Sequence, residues 1–326
     1  MRRTRDPDSK VGRREGAPRR TAEGPGGAGA LITVVGHTAI DHLFRVPDIP
    51  GRHNSTYITD HKVYFGGGAA NIAAGIATLG EKCRLISSVG ADFPGSDYER
   101  WLQGLGVELD LVVVEGARTA TAYVFTDDAG DQETFFEWGA SAEFARTEAP
   151  ALDFVHMATA DPDFNVRVAE KSKFASFDPG QDLLCYSADE LEIILANIDI
   201  LFSNNHEMNR MCNMLGLERT ALVASIPIVV TTRGAEGSVL CMEGREYHVP
   251  VVRVEAVDPT GAGDGYRAGF LTAFRKGYAP LDCCRVGAVV SSFVVEKVGT
   301  QTNLPDWDRM LGRYRKVFGE PGKTFN

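Results

Sequence analysis

Short apolar strands alternate with helical segments along this chain, and this alternation limits the possible folds more than any other feature. Between residues 151 and 232, apolar runs of strand length are each followed by a segment with helical spacing. The predicted strands are 154–159, 174–178, 198–204 and 226–232, and the predicted helices are 163–171, 187–197 and 205–215. Such strand–helix–strand units form one parallel sheet with helices on its faces. The pattern therefore predicts an α/β fold with a mostly parallel, doubly wound sheet.

The glycine-rich stretch at residues 257–270, VDPTGAGDGYRAGF, is the first candidate for a functional site. The β-branched run 251–257 predicts the end of a strand, and the residues after the glycines predict a helix. A helix N-terminus presents free N–H groups and a partial positive charge, and glycines let an anion approach the backbone. We therefore interpret Gly261, Ala262 and Gly263 as an anion-binding loop.

Asp264 follows this loop directly, although a carboxylate beside an anion site repels the anion. This arrangement has a chemical use if Asp264 accepts the proton of a hydroxyl group that attacks a phosphorus atom. The alternative is structural, namely a glycine turn followed by an N-capped helix. The stretch by itself leaves both interpretations open.

A second group of candidate residues lies in the first quarter of the chain. Gly67 and Gly68 precede a helix with apolar spacing and would allow a ligand to approach the backbone, and Asn71 offers a donor and an acceptor to a diol. The apolar run 31–36 predicts the first strand of the chain, and Asp41 follows it. Loop residues after such a strand commonly face a ligand crevice, so Asp41 could accept hydrogen bonds from sugar hydroxyls. The structural alternatives are that the glycines only form a turn before the helix and Asn71 is exposed, and that Asp41 caps its own turn.

The motifs D-P-T-G-A-G-D-x-x-x-A-G-F, G-G-x-x-x-N and G-x-x-x-x-D together resemble the signatures of the ribokinase family of sugar and nucleoside kinases. The resemblance covers about residues 31–310 and is closest to archaeal-type nucleoside kinases. It implies a three-layer α/β/α sandwich with a small β-sheet lid and Asp264 as the catalytic base. It also implies an anion hole formed by the preceding backbone, and sugar binding by the Asp41 and Asn71 regions. One departure is Gly265, where family members usually carry a side chain.

The same resemblance suggests roles for two further motifs and for one further residue. The N-x-x-E motif of Asn204 and Glu207 corresponds to one that positions Mg²⁺ through water near the phosphates, although Asn204 could also cap a helix. The T-x-G-x-x-G motif corresponds to one that contacts the nucleotide, and its residues here are Thr232, Gly234 and Gly237. Gln181, in the loop after strand 174–178, is a candidate substrate contact. ATP and Mg²⁺ are the implied cofactors.

The predicted domain organisation has two parts. Residues 1–30 hold eight Lys or Arg against four Asp or Glu and almost no large apolar residue, so we predict a disordered, dispensable basic tail. Residues 31–318 form one kinase domain, with a lid made from about 43–65 and 118–138. In related kinases such a lid often pairs two subunits, which implies a homodimer. The aromatic residues near its end, Phe135, Phe136 and Trp138, are expected either to shield the substrate or to form the lid or dimer core.

Composition excludes other classes of protein. A net charge of −10 argues against a general nucleic-acid binder, and no apolar run reaches the length needed to cross a membrane. The six cysteines lack C-x-x-C spacing, which is typical of free thiols in a reducing cytoplasm. A dinucleotide-dependent dehydrogenase is disfavoured, because no G-x-G-x-x-G motif follows the first strand.

The function implied by the resemblance is ATP- and Mg²⁺-dependent phosphorylation of the 5′-hydroxyl of a ribonucleoside. A kinase for a free sugar or a sugar phosphate is the first alternative, but only Arg45 and Arg52 lie near Asp41 in sequence to bind a second phosphate. A non-catalytic ligand-binding regulator is the second alternative, and the intact Asp264 and N-x-x-E motif argue against it. The sequence does not define the nucleobase.

Overall fold

The computed structural model describes residues 31–322, so the predicted basic tail lies outside the described residues. The strands are β1 Ile32–Val35, β2 Ala39–Arg45, β3 Asp60–Gly66, β4 Cys83–Gly90, β5 Glu108–Val114, β6 Ala120–Thr126, β7 Gln132–Glu137, β8 Phe154–Met157, β9 Phe174–Phe177, β10 Ile200–Asn204, β11 Ile228–Thr232, β12 Ser238–Met242 and β13 Arg245–Val249. The α-helices are α1 Gly68–Thr78, α2 Asp97–Gly104, α3 Pro162–Lys171, α4 Ala188–Ala196, α5 Asn205–Leu215, α6 Arg219–Ser225, α7 Ala262–Arg275, α8 Pro280–Val294 and α9 Trp307–Phe318. None of the helices in this described part is both long enough and apolar enough to cross a membrane.

Nine strands form the large sheet in the order β13-β12-β11-β10-β9-β8-β1-β4-β5. All neighbours from β11 to β5 are parallel, and only β12 and β13 are antiparallel. Side chains of one strand alternate between two cores: Phe202 packs in the core that contains α1, α7 and α8, and Leu201 in the core that contains α3, α4 and α5. The predicted three-layer α/β/α fold with a mostly parallel sheet and a small second sheet is confirmed.

The second sheet has four strands in the order β3-β2-β6-β7. Within the range 43–65 only the two ends are strands, because β2 ends at Arg45 and β3 begins at Asp60. Strands β6 and β7 form an antiparallel hairpin within the range 118–138 that was predicted for the lid. Phe136 and Trp138 pack on the ring of His37, with ring centroids 5.0 and 4.9 Å away, and thereby join this sheet to the loop after β1.

The strand predicted at 251–257 is wrong. Strand β13 ends at Val249, and Pro250 has no N–H group with which to continue the ladder. Ser238, the first residue of β12, lies opposite Val249, and β13 is the edge of the sheet, so the β-branched run beyond Val249 has no strand on either side to pair with. The N–H of Val257 instead donates to the carbonyl of Val295, 2.7 Å away, at the end of α8. An irregular segment therefore leads into α7. The hairpin β12–β13 and the short helix α6 were not predicted.

Close packing of α7 on α8 fixes the position of the α7 N-terminus. A Cβ atom at Gly269 would lie 2.8 Å from Val290 Cγ2 and 3.0 Å from the carbonyl oxygen of Val286, so only glycine allows this approach. From the other side, a Cβ atom at Gly287 would lie 2.7 Å from the carbonyl oxygen of Tyr266. The two helices thus meet backbone to backbone.

We predict that Gly269→Ala lowers the free energy of unfolding by about 1–3 kcal/mol, because the added methyl group has no space between the helices. Gly312→Ala is the matched control. Gly312 lies within α9, and a Cβ atom there meets nothing within 4 Å, so alanine should raise helix propensity and stability by up to about 1 kcal/mol. Urea unfolding of both variants measures the difference, and equal stability of Gly269→Ala and wild type would contradict the packing described.

Candidate active site

Residues from distant parts of the chain converge at the carboxyl end of the large sheet. Gly68 begins α1, and a Cβ atom there would lie 3.0 Å from Thr159 Oγ1, just beyond β8, and 3.8 Å from Asp264 Oδ1 on α7. The N–H of His37, after β1, donates to the carbonyl of Thr159 over 2.9 Å. The two glycine-rich stretches that the sequence singled out therefore lie side by side, in the crevice expected of a parallel sheet.

The N-terminus of α7 is open to a ligand. Gly261 is its N-cap, with φ of 77°, and no side chain caps the helix. A Cβ atom at Gly261 would lie 2.7 Å from Thr300 Cγ2, so both the backbone conformation and the contact favour glycine. The loop before it is held by Asp258, whose carboxylate accepts the N–H groups of Thr260 and Gly299. The resulting N–H groups and helix dipole suit an anion.

Asp264 lies in the first turn of α7 and is only 21% exposed at its side chain. Its Oδ2 accepts a hydrogen bond of 2.9 Å from Asn71 Nδ2, and its Oδ1 lies 3.8 Å from Arg267 Nη1. Burial raises the pKa of Asp264 to about 6, although Arg267 and Asn71 oppose this rise; the carboxylate of Asp178 adds to it. At neutral pH Asp264 is thus an ionised carboxylate that accepts a proton more readily than an ordinary aspartate.

Arg267 is a site residue that the sequence analysis missed. Its side chain is buried, its Nε atom forms a close ion pair with Asp178 Oδ2, and Nη1 lies next to Gly263 in the predicted anion-binding loop. Burial raises the pKa of Glu207 to about 7, and Asp178 adds to this rise while Arg267 opposes it. The only signal in the sequence is an arginine within the otherwise small and apolar face YRAGF, on a helix buried on all sides.

Asp41 lies on β2 and is 6% exposed. Its carboxylate occupies the space that a Cβ atom at Gly66 would need. Burial raises the pKa of Asp41 to about 7, and the charges of Asp264 and Asp258 add to the rise. The negative charges of Asp41 and of Asp264, the candidate base, therefore repel each other. Gly67 has φ of 90°, and a Cβ atom there would lie 2.6 Å from the carbonyl oxygen of His37, so glycine is required.

Asn71 is buried, so its alternative interpretation as an exposed asparagine is wrong. Besides donating to Asp264, its Oδ1 lies 2.8 Å from Thr300 Oγ1 and 2.9 Å from Gln301 Nε2. The sequence analysis gave Thr300 and Gln301 no role in holding Asn71. No sequence signal could have found this contact, because about 230 residues separate the partners.

The remaining predicted residues occupy the strand ends along the same edge. Asn204 and Glu207 form a capping box at the start of α5, in which the N–H of each residue donates to the side chain of the other. Thr232 ends β11, and Gly234 and Gly237 follow in the turn to β12, both with positive φ. Gln181 is exposed. The proposed nucleotide, metal and substrate contacts of these residues stay predictions.

The residues around Arg267 fit an additional divalent cation. Asp178 and Glu207 are two buried or largely buried carboxylates that share this one guanidinium group with the candidate base Asp264, so Asp178 and Glu207 are the residues that would hold the cation. Carboxylate oxygens suit Mg²⁺, which usually binds through one or two carboxylates together with substrate phosphates. Within residues 31–322 no group of three or more His, Cys, Asp or Glu could hold a metal ion by itself. Phosphate oxygens would therefore have to complete its coordination.

The chain is similar to known kinases over most of its length. A family model described as pfkB family carbohydrate kinase matches residues 29–307. The nucleoside kinase of Methanocaldococcus jannaschii is 42% identical over 298 residues, which are 89% of this chain and 99% of that protein. The nucleoside kinase of Methanothermobacter thermautotrophicus is 40% identical over 88% of this chain and 96% of its own length. The crystal structure of the M. jannaschii protein covers 88% of this chain and 98% of its own, with a TM-score of 0.83.

We predict that Asp264→Asn is more stable than wild type at pH 8, by up to about 3 kcal/mol, because the native state then no longer buries a charge. A carboxyl group whose folded pKa is raised gains native stability as the pH falls through that pKa. The difference in the free energy of unfolding between Asp264→Asn and wild type should therefore decrease by about 1.4 kcal/mol when the pH is lowered from 8 to 5. Urea unfolding at both pH values measures it. Asp110→Asn, at an exposed position of β5, is the control and should show no such change.

Proposed function

The chain belongs to the pfkB family of carbohydrate kinases, and we propose that it is an ATP-dependent nucleoside kinase that phosphorylates the 5′-hydroxyl of a ribonucleoside. It is a phosphotransferase with an alcohol group as acceptor. The two archaeal relatives named nucleoside kinase match it over almost their whole length. The observation that carries the mechanism is the largely buried carboxylate of Asp264, which accepts a hydrogen bond from Asn71 next to the uncapped N-terminus of α7.

Asp264 is the general base in this proposal. A pKa of about 6 keeps the carboxylate ionised at neutral pH and makes it a better proton acceptor than an ordinary aspartate. Asn71 holds the carboxylate in place from α1, so the base does not depend on the substrate for its orientation. The acceptor hydroxyl would lie between Asp264 and the backbone at Gly68, which closes that side of the crevice.

The N–H groups of Gly261, Ala262 and Gly263 would stabilise the negative charge of the transferring group, and Arg267 beside Gly263 would add a full positive charge. ATP with Mg²⁺ supplies the phosphoryl group and neutralises its charge when bound. Glu207, with Asp178 behind it, would position the metal ion through water. Asn204, Thr232, Gly234 and Gly237 would line the nucleotide end of the site.

Asp41 is proposed to bind the ribose diol, together with Asn71 and the backbone of Gly67 and Gly68, with Gln181 at the edge of the substrate site. A sugar-phosphate acceptor would require cations beside Asp41. Arg45 instead donates to the carbonyl of Asp127 in the small sheet and is exposed, which favours an uncharged acceptor. Five cysteines, Cys83, Cys212, Cys241, Cys283 and Cys284, are free thiols, which agrees with our proposal that the reaction takes place in the cytoplasm.

The outer face of the small sheet supports a homodimer. Side chains on the face opposite Asp41 form a continuous aromatic surface, in which Phe44 stacks on His61 and Phe125 with ring centroids 4.3 and 4.8 Å apart. The members of this surface are His42, Phe44, His61, Val63, Tyr123, Phe125 and Phe135. Val63 and Phe135 are more than half exposed. A second copy of the chain would bury this surface, and the small sheet would then cover the substrate as a lid.

We expect a phosphorylation panel with ATP and Mg²⁺ to show turnover of at least one of inosine, guanosine, adenosine and cytidine, and far less of ribose or fructose 6-phosphate. A 2′,3′-dideoxynucleoside should be a poor substrate, because it lacks the diol. Asp264→Asn is the control and should keep its affinity for a non-hydrolysable ATP analogue while kcat falls by roughly two to four orders of magnitude. Preference for a sugar, or normal turnover by Asp264→Asn, would contradict the proposal.

The dimer proposal predicts that Phe135→Lys converts the protein from a dimer to a monomer in sedimentation velocity, because a lysine charge would be buried in the interface. The side chain of Phe135 is 59% exposed in the protomer, so the fold should tolerate the change. Val317→Lys, at a 46% exposed position on α9, is the matched control and should remain dimeric. A monomeric wild-type protein would reject the proposal.

A further inference from the structure

Four side chains from four parts of the chain form a line of hydrogen bonds that ends on the proposed base. We call this line, which runs from Trp101 through Gln301 and Asn71 to Asp264, the relay. Trp101 Nε1 on α2 donates to Gln301 Oε1 over 2.9 Å, and Gln301 Nε2 donates to Asn71 Oδ1 over 2.9 Å. Asn71 Nδ2 then donates to Asp264 Oδ2, again over 2.9 Å. Gln301 and Asn71 are 6% and 5% exposed, so water does not readily replace these bonds.

The first member of this line determines the direction of all the others. An indole N–H can donate but cannot accept, so the oxygen of the Gln301 amide must face Trp101. The Gln301 nitrogen then faces Asn71, the Asn71 oxygen faces Gln301, and the Asn71 nitrogen is left to face Asp264. Amide orientation is usually ambiguous, but here a donor-only group removes the ambiguity.

The Tyr98 hydroxyl supports the same orientation of Gln301, and the Thr300 hydroxyl makes a further contact with Asn71. Tyr98 Oη accepts a bond of 2.7 Å from Gln301 Nε2 and donates one of 2.7 Å to the carbonyl of Gly66. Thr300 Oγ1 lies 2.8 Å from Asn71 Oδ1 and 3.0 Å from the carbonyl oxygen of Phe65. Every polar atom of the Gln301 amide therefore has a partner, and reversing it would place like atoms against each other.

We propose that Trp101 and Gln301 are positioning residues that fix the polarity of the Asn71 amide, so that Oδ2 of Asp264 always accepts an N–H and Oδ1 receives the substrate proton. This inference rests on the proposed role of Asp264 as the general base. Oδ1 is the oxygen nearest Gly68 and Arg267, on the side of the crevice where the acceptor hydroxyl would lie.

A reversed Asn71 amide would place its carbonyl oxygen against Asp264 Oδ2. The carboxylate would lose a donor and gain repulsion, so the protonated, non-basic form would be favoured. Among residues 31–322, the other charged groups near Asp264 are Arg267 on α7 itself, Asp178 just after β9, and Asp41 on β2. They act on Asp264 in either orientation, so a change in the relay can be measured against a constant background.

The test compares pH profiles of kcat/KM for the nucleoside that wild type prefers. Trp101→Phe removes the donor-only group without a change in charge, at a side chain that is 40% exposed. Gln301→Glu turns a second acceptor toward Asn71, so that Glu at position 301 competes with Asp264 for the Asn71 amide nitrogen and favours the reversed amide. We expect the acidic limb to move to higher pH in both variants, by roughly one unit in Gln301→Glu and less in Trp101→Phe. kcat at pH 7 should fall about tenfold or more in Gln301→Glu, with KM for the nucleoside changed less than about threefold.

Gln103→Glu is the matched control. It adds the same charge at an exposed position of α2, two residues from Trp101 and outside the relay, and should leave the profile unchanged. The side-chain ¹H–¹⁵N NMR signal of Asn71 provides a readout independent of turnover, and it should shift in both Trp101→Phe and Asp264→Asn.

The outcomes separate the relay from the proposed function. An active wild type whose acidic limb and Asn71 signal are the same in Trp101→Phe and Gln301→Glu would overturn the relay and leave the kinase proposal intact. A wild type that phosphorylates no nucleoside would overturn both. We expect melting temperatures near that of wild type for both variants. If Gln301→Glu does not fold, the result for Trp101→Phe decides.

Discussion

The pairing of one buried guanidinium group with several buried carboxylates is the interaction on which this site depends. Arg267 contacts Asp178 directly and lies close to Asp264, and its charge also acts on Glu207. Each carboxylate comes from a different element, so the arginine joins the ends of β9 and α5 to the first turn of α7. Without it, three neighbouring carboxyl groups would repel one another in a largely buried crevice, and their pKa values would rise further.

Much of the fold could be predicted because its signals are local. Strand length, helical spacing and glycine ends defined the parallel sheet, and the two glycine-rich stretches identified both sides of the crevice. The failure at 251–257 shows the limit of this reasoning, since a β-branched run becomes a strand only where a neighbouring strand has free N–H and C=O groups. Beyond Val249 no such neighbour exists, because β12 begins at Ser238, opposite Val249, and β13 is the edge of the sheet.

The arrangement within the site was less predictable, because its contacts join residues that are far apart in sequence. Asn71 was expected to face only the substrate, whereas two of its polar atoms are bonded to Asp264 and Gln301. Arg267 carries no motif, and its role follows only from the burial of α7 against α8. The N-x-x-E motif was easier to interpret, because its capping box joins Asn204 and Glu207, which are only three residues apart.

The connection between the two sheets has a mechanical consequence. The chain passes from β1 to β2 through three residues that begin with Gly36, and from β3 into α1 through Gly67, and both glycines have positive φ. Neither connection has slack, because Gly36 packs against the carbonyl oxygen of Thr159 and Gly67 packs against the backbone of His37 and Ala39. The two short connections therefore anchor β2, which carries Asp41, to the large sheet and to α1. The spacing between Asp41 and Asp264 is thus set by the backbone and not by side-chain rotamers alone.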